Sequence, residues 1–278
     1  MEVRVIIKII LSDYEKYVLP LLIAFYMYEE VMDNLNRRFE QAREKIIGSD
    51  RNRIGIGTLS EKTLHAILKN FYEPDEDKQE IPIDRFVADI YTGQEIIEIQ
   101  TGQFNRMRDK LKCFLQDFPV NIVYPVARER WLHWIDEETG EVSKGRKSPK
   151  KGSEYSVFVE LYRIKMFLND PNLKIKIVLL DMDEYKLLNG WGKQKKNNAS
   201  KYDRIPNRFV EEICIERKED YLQFIPYDLP EPFTVKEYAK VTKCGEKVAG
   251  VALNLLNYME IVKRVGKKGN AFLYETVY

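Results

Sequence analysis

Arg85-Phe86-Val87-Ala88-Asp89-Ile90-Tyr91, then Thr92-Gly93-Gln94-Glu95, then Ile96-Ile97-Glu98-Ile99-Gln100 are two Val- and Ile-bearing runs around a polar break, the pattern of a β-hairpin. Each run carries an acid. A carboxylate in a half-buried or buried strand is costly unless a cation or hydrogen-bond donors meet it, so Asp89 and Glu98 need partners. Alternation with period 2 puts Glu98 and Gln100 on one face. A four-residue loop over 92–95 sets Tyr91 opposite Ile96 and Asp89 opposite Glu98. A two-residue loop makes the acids diagonal neighbours, and a three-residue loop separates them. Like charges brought together favour a shared proton or a bound cation, and hard oxygen donors suit Mg²⁺ or Mn²⁺ better than zinc.

Around this hairpin the pattern predicts a helix over 60–71, strands over 80–83, 86–91 and 95–100, an amphipathic helix over 104–118 and a strand over 120–126. Residues 58–126 in this order resemble the core of the PD-(D/E)xK phosphodiesterase superfamily, the restriction-endonuclease-like fold. The resemblance implies an α/β protein whose mixed sheet is flanked by helices. It implies Mg²⁺ (or Mn²⁺) held by Asp89, Glu98 and the Ile99 backbone carbonyl, with Glu61 of the first helix adding a metal or water contact. Ala88 stands where the motif has proline and Gln100 where lysine is usual. A neutral amide there orients a water or binds a phosphate oxygen but brings no charge, and Lys62, Arg106 and Lys110 are the candidate replacements. His65 follows Glu61 by four residues, hence on the same helix face, and its expected role is helix packing, with contact to the active site as the alternative.

The 278 residues carry 45 Lys and Arg against 44 Asp and Glu, a net charge of +1, so no global field advertises a polyanion partner. Hydrophobic content of 44% with 32% charged excludes a disordered chain. Cys113, Cys214 and Cys244 show no paired spacing, against a zinc knuckle or a disulfide framework and in favour of a reducing, cytoplasmic setting. His65 and His133 are the only histidines, which excludes a multi-histidine metal site within one chain. The uncharged run over 18–28 is far short of the roughly 20 residues a membrane span needs. Residues 14–47 are expected to form one or two amphipathic helices, started or kinked at Pro20, packed on the core or on a second subunit in a homodimer.

Beyond residue 126, Trp131-Leu132-His133-Trp134-Ile135 alternates like a strand and turns back at 136–140. Lys144, Arg146, Lys147, Lys150 and Lys151 follow, reading either as a solvated loop or as a clamp for a nucleic-acid backbone. A helix over 155–168 and a buried strand over 175–180 come next, with Asp181 and Asp183 expected to cap a helix over 184–188. A polar loop over 190–204 interleaves Lys193, Lys195, Lys196, Lys201 and Arg204 with Trp191 and Tyr202, an arrangement for base stacking or for loop anchoring. The last stretch resembles a winged helix-turn-helix. Thr234 caps a helix over 235–241, a turn leads to a helix over 246–259, and a hairpin with the basic tip 266–270 ends it. The resemblance implies DNA contacts from Lys247 on the second helix and from Lys267 and Lys268 on the wing.

The sequence thus reads as an N-terminal helical segment (1–53), a nuclease-like domain (54–225) and a C-terminal winged helix-turn-helix (226–278). The expected function is a divalent-metal-dependent, endonuclease-like phosphodiesterase hydrolysing DNA. A catalytically degenerate DNA-binding or regulatory protein on the same fold, and a structural or partner-binding protein, are the alternatives.

Overall fold

The computed structural model of the protein describes residues 19–50, 63–189 and 199–278. Two helices, α1 (Leu19–Asp50) and α2 (Thr63–Tyr72), precede the sheet. Strands β1 (Gln79–Ile83), β2 (Phe86–Tyr91) and β3 (Ile96–Ile99) are antiparallel neighbours. Helix α3 (Arg108–Phe114), preceded by a 3₁₀ turn over Phe104–Met107, crosses to β4 (Val120–Asp136), which runs parallel to β3. A short β5 (Arg146–Lys147) pairs with β4. After α4 (Val157–Leu161), β6 (Leu173–Leu188) lies parallel to β4 and β7 (Ala199–Ile215) antiparallel to β6. The described residues therefore form a mixed seven-stranded sheet in the order β1-β2-β3-β4-β6-β7, with β5 beside β4. Helices α5 (Val235–Thr242) and α6 (Glu246–Tyr258) and the hairpin β8 (Val262–Lys268) and β9 (Ala271–Thr276) complete the chain.

Helices cover both faces of this sheet. On one, Phe39 of α1 and Leu64, Ile67, Leu68 and Phe71 of α2 close over Ile90, Ile97, Ile99, Val123, Val178 and Leu180. On the other, Phe104, Leu111, Phe114, Phe158 and Leu161 pack on Ile96, Ile122, Ile175 and Ile177. The same core continues without a break into Phe224, Phe233, Tyr238, Leu253, Leu256 and Tyr274. The aromatic contacts of Tyr155 with Phe224 at 5.8 Å and Tyr238 at 6.0 Å join the C-terminal helices to the sheet layer. Thr234 caps α5 as expected, its hydroxyl accepting from the Glu237 amide while Glu237 accepts from the Thr234 amide.

Several elements differ from the sequence reading. The segment after Asp181 is strand, not a capped helix, because Asp181 is neutralised within the sheet. Arg128 grips it with two bonds of 2.9 and 2.8 Å and Arg208 adds a third of 3.2 Å. Both partners belong to neighbouring strands, so β6 extends eight residues further than its apolar run. Residues 199–204 are likewise strand, and Arg146 and Lys147 are strand at the basic tip rather than loop. The helix expected over 155–168 breaks into two 3₁₀ turns around α4, with Ile164 outside helical geometry.

Among the described residues α1 is one helix, with Pro20 at its described start. At about 1.5 Å per residue it is about 48 Å long. Its second half docks through Phe39 and Ala42, while Ile23, Phe25, Tyr26 and Met27 of the first half are half or more exposed. The expected packing on the core therefore holds only for the second half. Among the described residues no helix is long and apolar enough to cross a membrane.

This division predicts unequal costs along one helix. Phe39 is 0% exposed and meets Phe71 and Phe209 edge-on or tilted at 5.8 and 6.0 Å, so Phe39→Ala should lower the stability measured by urea denaturation by about 3–5 kcal/mol. Phe25→Ala should change it by less than about 0.5 kcal/mol. Equal effects from the two substitutions would contradict this docking.

Candidate active site

The loop between β2 and β3 spans residues 92–95, closed by the Thr92 amide donating to the Glu95 carbonyl at 3.0 Å, with Gly93 at φ +90°, a conformation glycine adopts without strain. It pairs Tyr91 with Ile96 and Ile90 with Ile97, so Asp89 falls opposite Glu98. There the backbone ladder gives way to the side chains. The Asp89 amide donates to Glu98 Oε1 at 3.2 Å, and the Ile99 amide donates to Asp89 Oδ2 at 2.7 Å. Each carboxylate is thus held by the opposite strand.

Two helices contribute nitrogen-bearing side chains from opposite faces of the sheet. His65 of α2 places Nε2 3.2 Å from Asp89 Oδ2, and Lys110 of α3 places Nζ 2.5 Å from Glu98 Oε2. Burial pushes both carboxyls up. For Asp89 the bonds from His65 and the Ile99 amide, with the charge of Lys110, outweigh it and hold the group below the usual carboxylate range. For Glu98, burial first and the Asp89 charge second raise it to about 7 against the pull of Lys110. The site therefore holds one firmly ionised acid beside a strained one.

Asp89 Oδ1 accepts no hydrogen bond from a described residue, while both oxygens of Glu98 are engaged. Hard oxygens under mutual repulsion are the donor set that Mg²⁺ takes, and this ion is commonly held by one or two carboxylates completed by water and substrate phosphate. Among the described residues no group of three or more His, Cys, Asp and Glu side chains is arranged to hold a metal ion. The two carboxylates fit a cation that takes its other ligands from backbone, water or substrate.

The remaining expected site residues sort plainly. Glu61 and Lys62 lie outside the described residues, as do Trp191, Lys193, Lys195 and Lys196. Gln100 is spent on its own loop, its amide donating to the Gly102 carbonyl at 2.5 Å. Arg106 is exposed, and of the two candidate replacement cations among the described residues Lys110 is the one that meets the acid pair. His65 meets Asp89, the alternative held beside the packing role expected for it. At the basic tip, Lys147 and Lys151 both bond Glu129, at 2.7 and 3.3 Å, and Lys147 lies over the Trp131 ring. Lys144, Arg146 and Lys150 are exposed. In the C-terminal module α6 packs against α4, leaving Glu246, Lys247 and Tyr258 as its exposed residues. Lys267 and Lys268 are exposed on the hairpin, where Arg264 stacks on Phe272 at 4.3 Å.

Lys110 carries a signal that sequence could have used. Met107, Leu111 and Phe114 form the buried stripe of their segment, and Lys110 falls within that stripe at helical spacing. A cation on an apolar face needs a buried anion. Asp203, whose carboxylate accepts the Thr63 hydroxyl, had no such signal, because its partner is 140 residues away.

Residues 62–216, more than half of the chain, match the family described as "Domain of unknown function (DUF8091)". The chain belongs to that family. It is also similar to an uncharacterized protein of Treponema pallidum (strain Nichols), 29% identical over 224 residues, which covers 79% of this chain and 86% of the other. No solved structure matches.

The raised Glu98 carboxyl has a consequence for stability. The folded chain keeps a proton on Glu98 to about pH 7, whereas an ordinary glutamate releases it near 4.5. Between those values the native state holds the extra proton, so metal-free protein should lose stability as pH rises through that window. Denaturation midpoints measured across it should fall for the parent and fall less for Glu98→Gln. An identical slope in both proteins would contradict the assignment.

Proposed function

We propose that this member of the DUF8091 family is a divalent-metal-dependent phosphodiesterase that hydrolyses the DNA backbone. The observation that carries the reading is the joining of Asp89 and Glu98 across β2 and β3 with the Lys110 ammonium 2.5 Å from Glu98. The order of a helix, three antiparallel strands, a helix and a parallel strand supports a restriction-endonuclease-like core. Asp89 and Glu98 would hold Mg²⁺ or Mn²⁺, with the Ile99 carbonyl as a further ligand. When bound, such a cation polarises a phosphoryl oxygen and lowers the pKa of water beside it.

The chain's own residues supply the rest. His65 and the Ile99 amide fix the Asp89 carboxylate and keep it ionised. Lys110 brings to the acid pair the positive charge that Gln100 lacks, and offsets negative charge developing on the phosphoryl group. Gln100 steadies the loop that follows β3 instead of orienting water. The helix pair α5–α6 with the hairpin β8–β9 supports a winged-helix reading in which the exposed wing, through Lys267 and Lys268, meets the backbone while α6 is spent on packing. Lys144, Arg146 and Lys150 offer further backbone contacts. Free thiols at Cys113, Cys214 and Cys244 suit a reducing, cytoplasmic setting.

A second reading has its own observation. Each acid already has a nitrogen partner, the His65 imidazole for Asp89 and the Lys110 ammonium for Glu98, which is how a degenerate core would seal its former site. That protein would bind DNA and cut nothing.

Incubation of the pure protein with plasmid and Mg²⁺ or Mn²⁺, with chelator as control, separates the two. The phosphodiesterase should nick in a metal-dependent manner, and Asp89→Asn or Glu98→Gln should abolish nicking without loss of DNA binding. Lys110→Met should cut about 10²-fold more slowly. Variants that cut like the parent would place the chemistry elsewhere.

A further inference from the structure

Beside the acid pair lies a cavity of about 250 Å³ lined by Thr101, Gly102 and Gln103 on one side and by Glu184, Lys201, Tyr202, Asp203 and Arg204 on the other. It shares two borders with the proposed catalytic centre. Thr101 follows directly on Ile99 and Gln100. Asp203 accepts the hydroxyl of Thr63, two residues before His65 on α2.

The cavity brings together two acids, Glu184 and Asp203, and two cations, Lys201 and Arg204. Both of its acids are occupied: Glu184 faces Arg130 at 3.4 Å and Lys186 at 3.6 Å, while Asp203 takes the Thr63 hydroxyl and the Arg204 amide at 2.7 Å. Arg204 itself is half-buried, and no hydrogen bond or ion pair joins its guanidinium to another described residue. Burial, the largest influence, pulls its pKa below the usual arginine value against the opposing charges of Glu184 and Asp203, yet a guanidinium stays charged in a protein. Lys201 at the rim likewise has no ion pair among the described residues. None of the Arg204 nitrogens is among the buried atoms left without a partner, so water reaches the fork in this structure, and a planar fork of donors is met best by a carboxylate or a phosphate. Exposed Tyr202 adds a ring face on which a base stacks.

We propose that Arg204, with Lys201 at the rim, binds a non-scissile phosphate of the nucleic-acid strand being cut, one whose adjoining base rests on Tyr202. The assignment rests on the phosphodiesterase reading above and deepens it. It makes Arg204 a substrate-positioning residue, set so that a strand entering along Thr101–Gln103 presents its next phosphate to Asp89 and Glu98. The chemistry alone would also admit free inorganic phosphate, which the adjoining ring and the open rim disfavour.

The test uses the full chain, chelator to prevent cleavage, and a fluorescein-labelled single-stranded hexanucleotide read by anisotropy. Arg204→Gln should weaken binding about tenfold at an unchanged melting temperature, and Arg204→Lys should recover only part of it. A methylphosphonate hexanucleotide, which lacks backbone charge, should bind parent and Arg204→Gln alike. Equal affinity of parent and Arg204→Gln for the phosphodiester strand would overturn the proposal. So would full displacement of the strand by micromolar inorganic phosphate, which would assign the cavity to the free ion. Metal-dependent nicking by the parent is scored separately: a parent that binds through Arg204 but never cuts sinks the phosphodiesterase reading alone, and one that cuts without needing Arg204 sinks this subsite alone.

Discussion

Two carboxylates on adjacent strands, removed from water and facing the same point, cannot both be charged at no cost, and the structure around β2 and β3 is arranged by that constraint. Glu98 is 3% exposed, in an environment where an unpaired charge is prohibitive. The chain answers with backbone amides from Asp89 and Ile99, an imidazole from α2 and an ammonium from α3. Even so, the compensation is incomplete. Asp89 is drawn down and Glu98 is driven up, the separation expected when two acids share a site whose positive charge does not suffice. A structural ion pair with no further purpose has no need of the second acid.

The wider fold serves this arrangement by holding its parts rigid. Sheet residues Ile97 and Ile99 are buried under α2, and Ile96 under α3. The two helices that carry His65 and Lys110 are therefore fixed against opposite faces of one strand. Buried contacts of this kind define side-chain positions more sharply than loops do. Beyond the site, β4, β6 and β7 continue past the end of β3 and present Arg204 and Lys201 beside the exit loop. The C-terminal helices add to the same core, so their packing energy supports the sheet layer.

How much of this was legible in sequence depends on the distance between partners. The β2–β3 hairpin was readable because four loop residues and a period-2 pattern determine which side chains face each other. The cap at Thr234 and the paired helices after it were readable for the same local reason. Asp181 was misread as a cap because its true partners, Arg128 and Arg208, are 53 and 27 residues away, and no local pattern announces them. His65 was assigned to packing since a lone histidine on a helix face carries no sign of the carboxylate it will meet. Lys110 was named but not singled out, although its place in an apolar stripe already implied a buried acid. Arg204 was grouped with loop cations because the extent of β7 was hidden.

The central claim is that the acid pair accepts a hard cation, and calorimetric titration of Mn²⁺ into the metal-free protein tests it most directly. At a pH near 7, where Glu98 is part-protonated, the account predicts a single site whose binding releases a fraction of a proton and which disappears in Asp89→Asn. Absence of binding to the parent, or binding that survives Asp89→Asn unchanged, would contradict it.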